Sequence, residues 1–547
     1  PEAAAPEYVV AAAEDPELAG WLRLTAVQAW AAAGEPDSAR ASAAGLNGRR
    51  AVSKDSTYTE LARAYFAAGD TSRAVGLADS LSRRSRSRLA GDWLVPALAA
   101  RGDTTSARRE AESAIRYAGV GPEAGRYLVS IDGSVGMLRR VAEAEARERR
   151  TDDAAELLRD ALEIAEPSER ADITFQLAET LFSARRYGTV GRVLDPWVRG
   201  NAAEDVGGIP SRLEQRMRFL AGRALFRSGL REAASELWRE VAADATAPDG
   251  PYAAFLLADM KHDRSRLPEA RALYEETVSR FPRSSWAGSA LIRLGMIDLV
   301  EDRPAQAAER FDTYRRRFPG GNWYTASTFW AARARDAAGD SAQSRVLYNQ
   351  VLGDDPLGFY GIESARTLGE EAWDPLELRA TPPVRRRPDH AALVRRMSRL
   401  RAMGWKSRAL RELSSREGPR ESRDDRLALA MALNEAGFTW QGTSVAWGVY
   451  RARSGIWSED LLKAVYPLIY EPVLRERAST ERLDPTLVAA LVRRESQFDR
   501  DVVSGAGAVG LMQIMPATGA EVARRTGISE FRSCLLYTSD AADDYFW

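Results

Sequence analysis

The chain runs to 547 residues, more than one ordinary core serves, and carries a formal net charge of −1 with 45% hydrophobic and 28% charged residues. That balance excludes a disordered chain, and without bulk basicity there is no case for nucleic acid. One cysteine, Cys534, and two histidines, His262 and His390, exclude an internal disulfide and argue against a cysteine-rich metal site, zinc hydrolysis and Ser-His-Asp chemistry, so no metal or cofactor is expected.

No apolar run approaches the roughly 20 residues of a membrane span. The sequence begins at Pro1, so any export signal is expected to be missing from it. Alanine, leucine, arginine and glutamate dominate, which predicts helix almost throughout. Positive charge comes from arginine; lysine stands only at Lys54, Lys261, Lys406 and Lys463.

From the N-terminus, Gly34-Glu35-Pro36-Asp37, Gly69-Asp70-Thr71 and Gly102-Asp103-Thr104 have the composition of turns between helices. Each precedes an alanine-rich apolar stripe, beginning at Ala39, Ala74 and Ala107. Further units are expected near Thr151-Asp152-Asp153 and Tyr187-Gly188. Between residues 216 and 352 the pattern recurs about every 37 residues, with Ala233, Ala270 and Ala307 in register. Leu237, Tyr274, Phe311 and Tyr348 repeat likewise, as do Phe281-Pro282 and Phe318-Pro319. Each unit reads as helix, turn, helix: the small alanine permits close approach and the larger residue four positions on fills the gap. Such units resemble tetratricopeptide repeats and must stack to bury their apolar faces. Trp238, Trp286, Trp323 and Trp330 could line a sugar groove, but aromatics at helical spacing in a repeat are expected to be packing residues.

Asp355-Pro356-Leu357-Gly358-Phe359-Tyr360-Gly361 closes the regular array, and Thr381 to Pro388 reads as a linker. The basic stretch from Arg385 to Arg411 is either a solvated helix face or a dock for an anionic wall polymer. Helical pairs continue through Leu427–Ala436 and Trp440–Tyr450 to about Leu474.

The chemistry lies between Leu483 and Thr518. Asp484-Pro485 predicts a helix start, an aspartate cap followed by proline at the first helical position. That helix runs to Glu495, whose carboxyl follows Val488, Leu491 and Val492 along an apolar stripe. An apolar setting disfavours the ionised carboxylate, as a general acid requires. A glycine-dense loop follows, Ser504-Gly505-Ala506-Gly507-Ala508-Val509-Gly510, where backbone can approach a ligand closely. Gln513 offers a donor and an acceptor to an amide-bearing sugar. Pro516 opens a further helix that ends near Gly527. Asp499 would share a helix face with Glu495 rather than oppose it across a sugar, so a capping or loop role is expected for it.

Glu495-Ser496-Gln497-Phe498, Ser504, Gly507-Ala508, Gly510-Leu511-Met512-Gln513-Ile514-Met515-Pro516 and Thr518 resemble the signature of the soluble lytic murein transglycosylases. The helical array, Pro356 to Tyr360 and Tyr466-Pro467-Leu468-Ile469-Tyr470 resemble that family too. The resemblance implies an all-α protein: a tetratricopeptide-like α-superhelix, horseshoe or ring, over 1–375; a helical linker domain over 376–475; and part of a lysozyme-like catalytic domain over 476–532. It implies Glu495 as sole acid/base, Ser504 orienting it or the substrate acetamido group, and Gln513 and Met515 lining a glycan cleft. The implied enzyme is a lytic transglycosylase, cleaving between N-acetylmuramic acid and N-acetylglucosamine to leave a 1,6-anhydro product. It would act on peptidoglycan strands in the periplasm or cell envelope, with other cell-wall proteins as possible partners of the repeats. The alternatives are a lysozyme-like hydrolase, and a non-catalytic repeat scaffold binding protein partners or glycan. The tail from Ser533 reads as foreign sequence, and the family's downstream Tyr-Asn-Ala-Gly segment has no match after Thr518, so an incomplete, inactive catalytic domain is expected.

Overall fold

The computed structural model describes residues 2–44, 46, 52–117, 122–206, 208–244, 246–370, 384–415, 421–452 and 457–527. Among them the regular structure is helix, broken only by isolated β-bridges, as the composition predicts. The chain divides into two compact units, one of residues 31–36 and 58–375, the other of residues 1–30, 37–57 and 376–547.

The first of these is the helical array. Its best-formed pairs are Ser211–Arg227 with Arg231–Ala243, Gly250–His262 with Leu267–Arg280, Ser285–Val300 with Pro304–Arg317, and Tyr324–Ala337 with Ser341–Asp354. Every pair turns on a left-handed residue: Gly229, Ser265, Asp302 and Gly339, with φ of 85, 56, 54 and 85°. The amide that follows reaches back into the finished helix, Leu230 to the Leu225 carbonyl at 2.9 Å, Arg266 to Lys261 at 2.9 Å, Arg303 to Asp298 at 2.7 Å and Asp340 to Arg335 at 2.9 Å. This Schellman closure satisfies carbonyls that a helix end leaves open. The same closure stands at Gly69 and Gly102, where Asp70 and Asp103 bond Tyr65 and Leu98. The turns expected at Gly69 and Gly102 are therefore in place.

Ala270, Ala307, Tyr274, Phe311 and Tyr348 are buried as the repeat predicts. Ala233 departs from it: it is half-buried, and Ala234 takes the core position. Large rings fit because a neighbouring helix offers glycine. A Cβ on Gly295 would lie 2.5 Å from the Phe311 ring, and one on Gly222 would lie 2.5 Å from the Trp238 indole. A helical glycine costs about 1 kcal/mol relative to alanine, which burial of a whole aromatic ring offsets. The tryptophans follow the packing reading in part. Trp238 is buried and donates to the Phe219 carbonyl at 3.3 Å. Trp286 stacks on Tyr252 with centroids 3.8 Å apart, Phe219 lying against Tyr252 and Phe255 against Trp286. Trp330 is half-buried with Arg333 over its ring, whereas Trp323 is exposed.

The other unit joins the chain's first helices to its last third. Trp21 is buried and its indole N–H donates to Glu412 at 2.7 Å, across 391 positions of sequence. Arg396 donates to the other oxygen of Glu412 at 3.1 Å. Arg395 pairs with Glu17 at 2.7 Å, Arg399 pairs with Asp15, and Arg408 donates to Thr25 and to Gln28. Arg386 pairs with Glu435, Arg387 with Asp425, and Arg401 donates to the Gly437 carbonyl. In the basic stretch 385–411 these guanidiniums are engaged inside their own unit, while the Arg386 and Arg395 side chains stay 86% and 56% exposed. The expected linker residues 381–383 lie outside the described residues.

Candidate active site

The helix Pro485–Ser496 begins as the sequence predicts, with the Asp484 carboxylate accepting from the Thr486 amide at 2.8 Å and proline in the first turn. Its inner face holds Val488, Ala489 and Val492 against Leu474, Ala478 and Phe498. Arg493 is clamped beside them, donating to the Val465 carbonyl at 3.1 Å with its guanidinium 4.3 Å from the centre of the Tyr466 ring. Burial draws the Arg493 pKa below its ordinary value, against the opposing pull of Tyr466.

Glu495 stands on the outer face of the last turn. Its stripe splits: Val488 and Val492 are buried, while Leu491 is 45% exposed, as is Leu487 outside the stripe at 65%, and Glu495 itself is exposed. The apolar enclosure expected for this carboxyl is not formed by the described residues. Spacing along one helix does not say which of its sides meets the core.

Immediately after Glu495 the chain reverses. Gln497 and Phe498 both take left-handed backbone, φ 51 and 61°, an uncommon choice for two successive non-glycine residues. Burial of the Phe498 ring holds that conformation in place. Asp499 then ties the strand down: its amide donates to the Ser496 carbonyl at 3.0 Å, one carboxylate oxygen accepts from the Asp501 amide at 3.0 Å, and the other accepts from Lys406 at 2.7 Å. This is the loop role expected for Asp499. The sequence marks Lys406 only by its rarity, a lysine in a chain whose positive charge is almost all arginine.

The glycine-rich segment folds as a small closed loop. Val503 bridges Val509, and Val509 bridges Ile514 with 3.0 Å hydrogen bonds in both directions. The Ser504 amide donates to the Ala508 carbonyl at 2.9 Å and its hydroxyl accepts from the Ala508 amide at 3.0 Å. Gly507 and Gly510 supply the left-handed turns, φ 86 and 74°. Gln513, also left-handed at φ 48°, donates its side-chain amide to the Gly510 carbonyl at 2.9 Å and the Val502 carbonyl at 3.2 Å. Its N–H donors therefore hold the loop, and its carbonyl oxygen is the part available to a ligand, narrower than the donor-and-acceptor role expected. Met515 ends the loop 42% exposed and caps the helix Pro516–Thr526, which stops at left-handed Gly527 as predicted. Ser504, Gln513 and Met515 thus share one loop, entered from the helix that carries Glu495. The tail from Ser533, with Cys534, lies outside the described residues.

Residues 472–536 match the family model described as the Transglycosylase SLT domain. The chain is 24% identical over 264 residues to the soluble lytic murein transglycosylase of Escherichia coli (strain K12), an alignment covering 46% of this chain and 38% of that protein. The enzyme of the same name from Salmonella typhimurium is 23% identical over 260 residues, with the same shares covered. The chain thus spans 38% of the length of the curated relatives it matches. Among solved structures, it resembles the 70 kDa soluble lytic transglycosylase from Escherichia coli with a TM-score of 0.53 and 15% identity, covering 97% of this chain and 85% of that one. A 70-kDa soluble lytic transglycosylase in complex with bulgecin A gives a TM-score of 0.51 at 17% identity, covering 98% and 77%. These likenesses show the helical fold, and the resemblance carried by Glu495 to Thr518 is borne out.

Proposed function

We propose that this chain, which carries a transglycosylase SLT domain, is a peptidoglycan lytic transglycosylase in which Glu495 serves as the single acid/base. One observation carries the reading. Glu495 lies on the last turn of a helix that leads through a left-handed reversal into the Ser504–Met515 loop, all of it inside the matched segment. Glu495 protonates the glycosidic oxygen between N-acetylmuramic acid and N-acetylglucosamine. The muramic 2-acetamido group supports the electron-poor anomeric carbon, and the Gln513 carbonyl, Ser504 and Met515 bind the sugar. The Glu495 carboxylate then takes the proton of the muramic 6-hydroxyl, which closes the 1,6-anhydro ring without net addition of water. One carboxylate suffices because the substrate supplies the second group, outside the two-carboxylate scheme. Such a substrate places the protein in the periplasm or cell envelope; no described helix is long and apolar enough to cross a membrane.

The test is digestion of peptidoglycan by the protein completed to a whole SLT domain and by its Glu495→Gln variant, with products read by mass. Release of 1,6-anhydro muropeptides that disappears in the variant is expected. Products heavier by one water would assign a hydrolase instead, and equal release by the variant would remove Glu495 from the chemistry.

A further inference from the structure

Away from the matched segment, in the unit of residues 31–36 and 58–375, the helices Arg83–Leu89 and Thr104–Tyr117 enclose a cavity of about 420 Å³. That is the size of a small-molecule site. Its lining is dominated by guanidiniums. Arg83 and Arg86 stand three apart on one helix, and Arg109 and Arg116 seven apart on one face of the other. The buried carboxylate of Glu110 sits between two of them, 3.1 Å from Arg86 and 3.3 Å from Arg109, and so fixes their position. Asp79 lies 2.8 Å from Arg86, and Glu112, also on the wall, pairs with Arg108 at 3.2 Å. The wall itself carries four arginines and two glutamates, in a chain whose formal net charge is −1. The Nε of Arg86 is buried with no acceptor among the described residues. A buried donor left unmatched is costly, so an acceptor entering the cavity gains what that donor lacks.

We propose that this cavity binds a small dianion, its charge carried either by two peptide carboxylates or by one phosphate. Guanidiniums suit both, since their planar fork meets two oxyanion atoms at once. The buried Glu110 holds Arg86 in place rather than neutralising the site, and the exposed arginines at the rim draw the ligand in. This proposal is independent of the reading of Glu495.

Calorimetric titration of the purified chain with N-acetyl-alanyl-glutamate and, separately, with inorganic phosphate tests it, the neutral diamide of the peptide serving as control. At least one dianion should bind more tightly than the diamide and lose affinity as salt rises. Whichever binds identifies the source of charge. The rim variant Arg109→Gln/Arg116→Gln should weaken binding about tenfold or more, as loss of a charge-assisted contact implies. If neither dianion outbinds the diamide, or if the folded rim variant binds as the parent does, the proposal fails. Should the variant lose its thermal transition, the diamide control and the salt dependence of the parent decide alone.

Discussion

Lys406 and Asp499 form a 2.7 Å ion pair that fastens the reversal behind Glu495 to the helix Lys406–Ser414. The lysine side chain is 46% exposed and the aspartate 22%, so the pair itself is worth about 0–1 kcal/mol. Its consequence is order rather than stability. Lys406→Met should leave the melting temperature nearly unchanged while amide hydrogen exchange across residues 497–504 accelerates. The exchanged pair Lys406→Asp/Asp499→Lys should recover most of that protection. Unaltered exchange in Lys406→Met would show that burial of Phe498 holds the loop without help.

Gln513 makes a separate prediction, because its side chain and its backbone act in opposite directions. The amide gives two hydrogen bonds to Gly510 and Val502, each worth about 1 kcal/mol, while its φ of 48° carries a strain that glycine would relieve. Gln513→Gly should therefore be milder than Gln513→Ala, which loses both bonds and keeps the strain, at about 2 kcal/mol. Gln513→Glu should be worst, since a carboxylate would face two carbonyl oxygens. Urea denaturation of the three variants ranks them, and a Glu variant as stable as the Gly variant would contradict the assignment of the amide nitrogen.

Much of this was legible in the sequence for a physical reason. Helical repeats encode themselves locally, so alanine and aromatic spacing was enough to place Ala270, Tyr274, Ala307 and Phe311 in the core. Asp484 and Pro485 encode a helix start within two residues, and Gly527 a stop within one. What could not be read was long-range. No periodicity links Trp21 to Glu412, nor Lys406 to Asp499, because each pair is made by tertiary packing. The exposure of Glu495 escaped for the same reason: an apolar stripe is a statement about one helix, and enclosure is a statement about its neighbours.

Gly295 tests the packing rule of the repeats. Its missing Cβ is the space that the Phe311 ring occupies, at 2.5 Å from where a methyl carbon would lie. Gly295→Ala would normally gain about 1 kcal/mol of helix propensity. Here it should instead cost about 1–3 kcal/mol by overpacking, lowering the melting temperature. Combining it with Phe311→Leu should recover part of that loss, since the smaller side chain makes room. A stabilised Gly295→Ala would mean that Phe311 moves aside freely, and that the rings of the array are less tightly fitted than their burial implies.

Asp425 sets a pH dependence. It closes a capping box with Ser422 at the start of the helix Arg423–Glu435 and accepts from Arg387 at 2.6 Å. The Arg387 hydrogen bond, followed by that from Ser422, holds its pKa down at about 2. An unfolded aspartate titrates near 3.9, roughly, so the folded state holds this proton less tightly. The stabilisation is therefore complete above about pH 4 and is lost as pH falls towards 2. Carboxyl NMR titration should show Asp425 among the last aspartates to protonate, with amides of the first helical turn exchanging faster through the same window. Arg387→Gln should raise the midpoint towards the ordinary value, and high salt should do so in part because the pair is exposed. A midpoint unmoved by Arg387→Gln would assign the whole depression to the capping box, and in that case Ser422→Ala, not salt, should release it.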